Sequence, residues 1–176
     1  MNPSSPSAGA ASALASWHGC TGSGVMAGDA TAADDCDRAC AVADRLAGVI
    51  AVGGAGAQAL VLADEPATTC YLPGHRAFLR RLAADSEAGL RAAAQAVLAD
   101  PATEWEDCGT WVSDGPAVLM DSAEAGAELD VEYPDGGMPA QAPVPRPAGR
   151  WRVRAVHTDA DEANWIGLVQ LLPAGS

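Results

Sequence analysis

The sequence predicts an α+β fold: a mainly antiparallel β-sheet or sandwich of short strands, with two central helices packed on it. Most apolar segments are short, rich in Val, Ile and Leu, and bounded by Gly, Pro or Asp, which is how strands read. Helical spacing is confined to the middle of the chain, near residues 76 to 99. Strands and helices do not alternate one for one, as a parallel sheet with crossover helices would require, so antiparallel pairing is expected.

The opening stretch "MNPSSPSAGAASALAS" is Ser/Ala/Gly/Pro-rich and poor in large apolar residues. Too little burial is available to offset its ordering entropy, so residues 1–16 read as a disordered leader. Residues 17–176 then form a single domain starting at Trp17, within the usual size range. From Trp17 to about Asp37 the chain reads as irregular, with one short strand around Val25 and Met26.

"LAGVIAV", "QALVLAD" and "TTCYL" follow as three strands in a meander. The period then changes. "RAFLRRLAAD" reads as a first helix, and "DSEAGLRAAAQAVLAD" as a second, with Leu90, Ala93, Ala94, Val97 and Leu98 at helical spacing. Asp85 or Ser86 is placed to cap that second helix, and Pro101 follows its end. In the second half "TWV", "PAVLMDS", "AELDVEY", "RWRVRAVH" and "NWIGLVQLL" read as strands. Alternation is cleanest in "RWRVRAVH", which puts Trp151, Val153 and Ala155 on one face and Arg150, Arg152 and Arg154 on the other. Residues 134–149 read as a Pro-rich surface loop.

The formal charge is −13, and all ten basic residues are arginine. Phosphate backbones and anionic lipid surfaces demand neutralising cations, so direct binding to nucleic acid or membrane is not expected, whereas a basic protein partner is. The five cysteines are odd in number and no Lys or Arg precedes Arg38, so neither a disulfide framework nor a charged signal-peptide start is indicated. With no apolar run near the roughly 18 residues that span a bilayer, a soluble cytoplasmic protein is expected.

The glycine cluster in "GVIAVGGAGAQALVLADEP" invites comparison with a phosphate-binding loop. A dinucleotide fingerprint needs a third glycine where Ala59 stands and a helix where "QALVLAD" is strand-like, and a Walker loop needs a lysine. The loop therefore reads as a hairpin connection, its glycines supplying positive φ. No cofactor is expected.

Cys36 and Cys40 lie one helical turn apart, with His18 and Cys20 upstream, a set that could hold zinc, although no Cys-x-x-Cys pair exists. His157 precedes Asp159, Asp161 and Glu162, which could orient an imidazole for acid–base work. These residues define the alternative function, a small cytoplasmic hydrolase or metal-binding enzyme using His157, His18, Cys36 and Cys40. No Gly-x-Ser-x-Gly nucleophile turn accompanies them, so the expectation remains a non-enzyme with no metal.

Two acidic clusters, "EWED" and "HTDADE", are predicted at strand ends or loops. They offer a surface for a basic partner, with a tryptophan as aromatic anchor. The candidate partner-binding residues are Trp17, Glu104, Trp105, Glu106, Asp107, Asp159, Asp161 and Glu162, with Trp17 equally suited to the core. Trp151 and Trp165, in apolar strands, are assigned to the core.

Across about residues 36 to 173 the stretches "DRACAV", "GVIAVGG", "ALVLADEPATTCYLP", "FLRRLAADSEAGL", "DGPAVLMDS", "GRWRVRAVH" and "WIGLVQLLP" resemble the immunity 21 family of bacterial polymorphic toxin systems. The resemblance is sharpest in "LVLADEPATTCYLP", with Asp64, Glu65, Pro66, Thr68, Thr69, Tyr71 and Pro73, and in the closing "VRAVH" and "WIGLVQL". It implies an immunity protein that neutralises a cognate toxin by stoichiometric binding. The acidic charge adds the expectation of a basic toxin, such as a nuclease.

Overall fold

The structure, a computed structural model, describes residues 6–20, 34–42, 44–53, 56–62 and 66–175. Their strands form two five-stranded antiparallel sheets. The first runs in the order β2 (Gly48–Val52), β3 (Ala57–Val61), β1 (Pro6–Ala10), β7 (Ala117–Asp121), β8 (Gln141–Val144). The second runs β4 (Thr68–Leu72), β5 (Ala77–Ala84), β10 (Asn164–Pro173), β9 (Gly149–Asp161), β6 (Glu106–Ser113).

Alternation along each strand separates two faces, and both faces of both sheets are used. Leu60, Leu62, Ala117, Leu119 and Val144 of the first sheet and its margins meet Phe78, Trp111, Trp151, Val153, Ala155, Val169 and Leu171 of the second, making the inter-sheet core. The intervening residues Ala59, Val61 and Met120 turn to the outer face of the first sheet. There they pack with Ala13 of α1 (Ala11–Leu14), Trp17 and Ala39 of α2 (Asp35–Cys40). On the outer face of the second sheet Leu79, Val156, Ile166 and Leu168 receive Leu90, Ala93 and Ala94 of α3 (Glu87–Ala99). The result is a sandwich with helices on both outer faces. Each fully buried Leu, Ile, Val or Phe contributes about 1.5–3 kcal/mol to holding it.

α3 forms where its apolar spacing and cap agree. The Ser86 hydroxyl accepts from the Gly89 N–H at 3.1 Å, and the helix ends at Asp100, before Pro101. As expected of a hairpin, β2 and β3 pair antiparallel, and Gly53 and Gly56 have φ of 62° and 76°. Trp151, Val153 and Ala155 are buried together, as alternation indicates.

Four expectations are corrected. "RAFLRRLAAD" is not a helix but contains β5, paired with β4 on one side and β10 on the other. Its two faces are both buried near Phe78 and Leu79, which erases the polar–apolar alternation that marks a strand covered on one side. The stretch read as a disordered leader supplies β1, at the centre of the first sheet between β3 and β7. Its small side chains add little burial, and its order comes from ladders on both sides. "AELDVEY" is no strand: a 3-10 turn at Gly126–Glu128 runs into its first two residues, with Leu129 buried after it. The Pro-rich segment 134–149 is not all surface loop, because β8 runs through it and Val144 and Arg146 are buried. The strand expected around Val25 and Met26 lies outside the described residues.

Arg146, 5% exposed, lays its guanidinium 3.7 Å from the Trp111 ring centroid and 5.7 Å from that of Trp151. None of its three guanidinium nitrogens has a hydrogen-bond partner among the described residues, and burial pushes its pKa down to about 10. The residue thus acts as a flat packing slab whose attraction to the rings is offset by desolvation. In urea unfolding, Arg146→Met should hold or raise stability, staying within about 1 kcal/mol if it falls. Arg146→Ala, which opens space above Trp111, should cost about 2 kcal/mol or more. Equal losses in the two variants would contradict the packing role.

Candidate functional site

The pairing of β6 with β9 decides where the acidic clusters lie. Glu106 pairs with Ala155 and Asp107 with Arg154, and β9 then continues past the start of β6 to Asp161. Glu104, Trp105, Glu106 and Asp107 are therefore carried to the same end of the second sheet as Asp159, Asp161 and Glu162. All six acids are exposed.

Two of the six, Asp107 and Asp161, are held in place by local hydrogen bonds. Asp107 accepts from the Gly109 N–H and from Arg152 Nε, each at 2.9 Å, and these donors, the Gly109 amide first, keep its carboxyl below the usual range. Asp161 accepts from the Ala163 N–H at 2.9 Å and from Asn164 Nδ2 at 2.8 and 2.9 Å, with the same effect. Trp105 is half-buried under the Arg154 guanidinium, 4.2 Å from its ring centroid, and Arg154 is held in turn by Gln170 Oε1.

Trp165 is not in the core, as its apolar strand indicated, but 48% exposed. The ladder register shifts on one side of Trp165 toward β9 and on the other toward β5, and such bulges re-aim a side chain. Because its ladder partner is Asp159, the indole stands beside the acidic cluster. The exposed aromatic of this surface is thus one that periodicity could not find.

Trp17, equally suited to core and surface by sequence, is buried at 3% exposure, so its side chain offers no contact surface. Its Nε1 donates to the Ser122 carbonyl at 3.1 Å, while its own carbonyl accepts from Gly126 N and the Ala123 carbonyl accepts from Cys20 N, both at 2.9 Å. Close approach reinforces this seam, since a Cβ on Gly126 would fall 2.2 Å from the Leu14 carbonyl oxygen. Trp17 anchors the N-terminal segment to the turn after β7.

The residues of the enzymatic alternative do not converge. His18 and α2 lie toward the outer face of the first sheet, where the His18 N–H donates to Asp35 Oδ2 at 2.6 Å, whereas His157 lies in β9 of the second. Among the described residues, no three His, Cys, Asp or Glu side chains are grouped to hold a metal. Burial, then a hydrogen bond with Cys20, raises the Cys36 thiol well above its usual range, and burial raises Cys70 and brings Cys108 up to about 11. Thiols held protonated are poor nucleophiles and ligands. His157 sits in a row the sequence did not reveal, in which Gly167 pairs with both Arg80 and His157. His157 Nε2 lies 3.5 Å from Arg80 Nη1, and a Cβ on Gly167 would meet the imidazole at 2.9 Å, so a side chain there would have to push the ring aside.

Fold and surface together define a small α+β sandwich with an acidic end edged by exposed Trp165. The chain belongs to the Immunity protein 21 family, whose model matches residues 8–164. Membership in an immunity family implies a toxin as binding partner. No curated protein and no solved structure matches the chain. Among the described residues no helix is long and apolar enough to cross a membrane.

If Trp17 is an internal anchor, Trp17→Ala should lower unfolding free energy by about 3–5 kcal/mol in urea melts. Unchanged stability would return it to the list of surface contacts. The acids give a second check. A carboxyl whose folded pKa is depressed adds stability above its unfolded value and loses it as pH falls through the folded one. Carboxyl-carbon NMR should therefore show Asp107 and Asp161 still ionised below the ordinary Asp value of 3.8, and titration at or above it would contradict their hydrogen bonding.

Proposed function

We propose that this protein neutralises a cognate bacterial toxin by forming a stoichiometric complex with it, and that the acidic end of the second sheet is the contacting surface. Glu104, Trp105, Glu106, Asp107, Asp159, Asp161 and Glu162 form that surface, joined by Trp165. The observation that carries the reading is the β6–β9 pairing, which gathers two acidic clusters far apart in sequence beside an exposed indole. Membership in an immunity family supplies the partner class.

The charge of −13 favours a basic toxin. A nuclease fits, because it must hold phosphate in a cationic cleft that an acidic protein can cover. The protein acts in the cytoplasm through binding alone, without catalysis, cofactor or metal, and without contacting nucleic acid or membrane. Tryptophan beside the carboxylates supplies apolar contact, while the carboxylates govern encounter rate and partner choice.

The test uses the product of the gene adjacent to this chain's own. The two proteins should co-purify as one complex, and their association rate should fall as salt rises from low to physiological levels. At low salt, the combined changes Glu104→Gln, Glu106→Gln, Asp159→Asn and Glu162→Gln should slow association about tenfold while leaving thermal stability unchanged. A complex that forms at a salt-independent rate would refute the acidic contact surface.

A further inference from the structure

Four strands lie at sheet edges: β2 and β8 in the first sheet, β4 and β6 in the second. An edge strand exposes alternate N–H and C=O groups, and proteins usually blunt such a row to prevent unwanted pairing. Three of the four are blunted here. In β2 the Ala51 carbonyl accepts from Arg38 Nη1 at 2.8 Å. In β6 the register shifts between Asp107 and Thr110, and Gln58 Oε1 takes the Val112 N–H at 2.7 Å. In β8, only four residues long, Pro143 removes a donor. Among the described residues β4 has no proline, no register shift against β5, and no side chain of another element bonded to its backbone.

The faces of β4 are open as well. Its alternate residues point to opposite sides of the sheet, and each side holds a cleft. On the inter-sheet side a cleft of about 460 Å³ lies between Thr69, with Thr68 at its rim, and the opposing Leu119, Asp121 and Ala142, with Gln141 beside them. On the helix side one of about 230 Å³ lies between Thr68, Cys70, Arg81 and Leu90. An edge strand with a hollow on each face matches what strand addition requires, since main-chain bonds supply affinity and alternate side chains enter pockets on either side.

Charge indicates what would enter. Asp121 is the charged residue among those lining the larger cleft. Its Gln141 wall hydrogen-bonds to Asp130 at 3.2 Å, and Glu124 lies close enough that it and Asp121 together push the Tyr133 hydroxyl up to about 12. In the smaller cleft Arg91 is paired with Glu87 at 2.9 Å and Arg81 donates to the Ala84 carbonyl, so the acidic lining that a cation could meet is that of the larger cleft. From these observations we propose that an extended, basic segment of the toxin adds to the second sheet along β4, with a Lys or Arg side chain reaching Asp121. The proposal rests on the immunity reading above and assigns the partner a second contact, distinct from the acidic end.

The experiment is hydrogen exchange on the full chain, free and in complex with the adjacent gene's product, together with the variants Thr68→Lys and Asp121→Asn. In the complex, amides between Thr69 and Leu72 should exchange about tenfold more slowly or better than in the free chain. Thr68→Lys, which sets a cation against the incoming segment, should weaken affinity about tenfold without lowering the melting temperature. Asp121→Asn, which keeps the acceptor used by the Ala123 N–H, should weaken it in the same direction. A complex with unchanged exchange in β4, or a free chain that already dimerises with β4 protected, overturns strand addition and leaves the immunity reading standing. If the adjacent gene's product does not bind at all, the immunity reading falls and the inference with it.

Discussion

The structure depends most on the double pairing of β9. Over its 13 residues it shares a ladder with β10 along nearly its whole length and with β6 along its first half. Trp151, Val153 and Ala155 reach into the inter-sheet core, and Val156 reaches toward α3. The strand runs past the end of its ladder with β6, with Ala160 packed against the α3-side core, and this continuation carries Asp159 and Asp161. Stability and presentation of the acidic end are thus properties of one strand, with Arg152 and Arg154 tying Asp107 and Trp105 to the same edge.

The second constraint is close approach. A methyl group on Gly126 would not fit against the Leu14 backbone, and one on Gly167 would push the His157 ring aside; each glycine lets segments distant in sequence lie in contact. The first locks the N-terminal segment against the turn after β7, with Trp17 as its buried anchor. The second lets Arg80 and His157 share the inter-sheet side of the second sheet. Among the described residues the other sheet edges carry a side-chain bond, a register shift or a proline, and β4 carries none of these.

Much of the fold is legible in the sequence because local chemistry and tertiary environment agree. β2, β3, β4, β7, β9 and β10 follow β-branched and aliphatic runs, and α3 follows its Ser86 cap and its spacing. Where they disagree, the reading fails. β5 loses its alternation because both faces are covered near Phe78 and Leu79. β1 has almost no apolar side chain, so only its neighbours make it a strand, and β8 is masked by the prolines around it. The acidic clusters are as exposed as their composition suggests, but their convergence depends on a ladder between residues about fifty apart. The exposure of Trp165 depends on a bulge, and the burial of Trp17 on a bond to Ser122; neither leaves a trace in periodicity.

The role proposed for this chain is to protect a cell by covering a toxin. Growth of cells carrying the adjacent gene, with and without this chain co-expressed, tests it most directly. Growth arrest by the neighbour alone and full recovery with the chain present is the expected result. A neighbour that is harmless by itself, or arrest that persists when this chain is present, would contradict it.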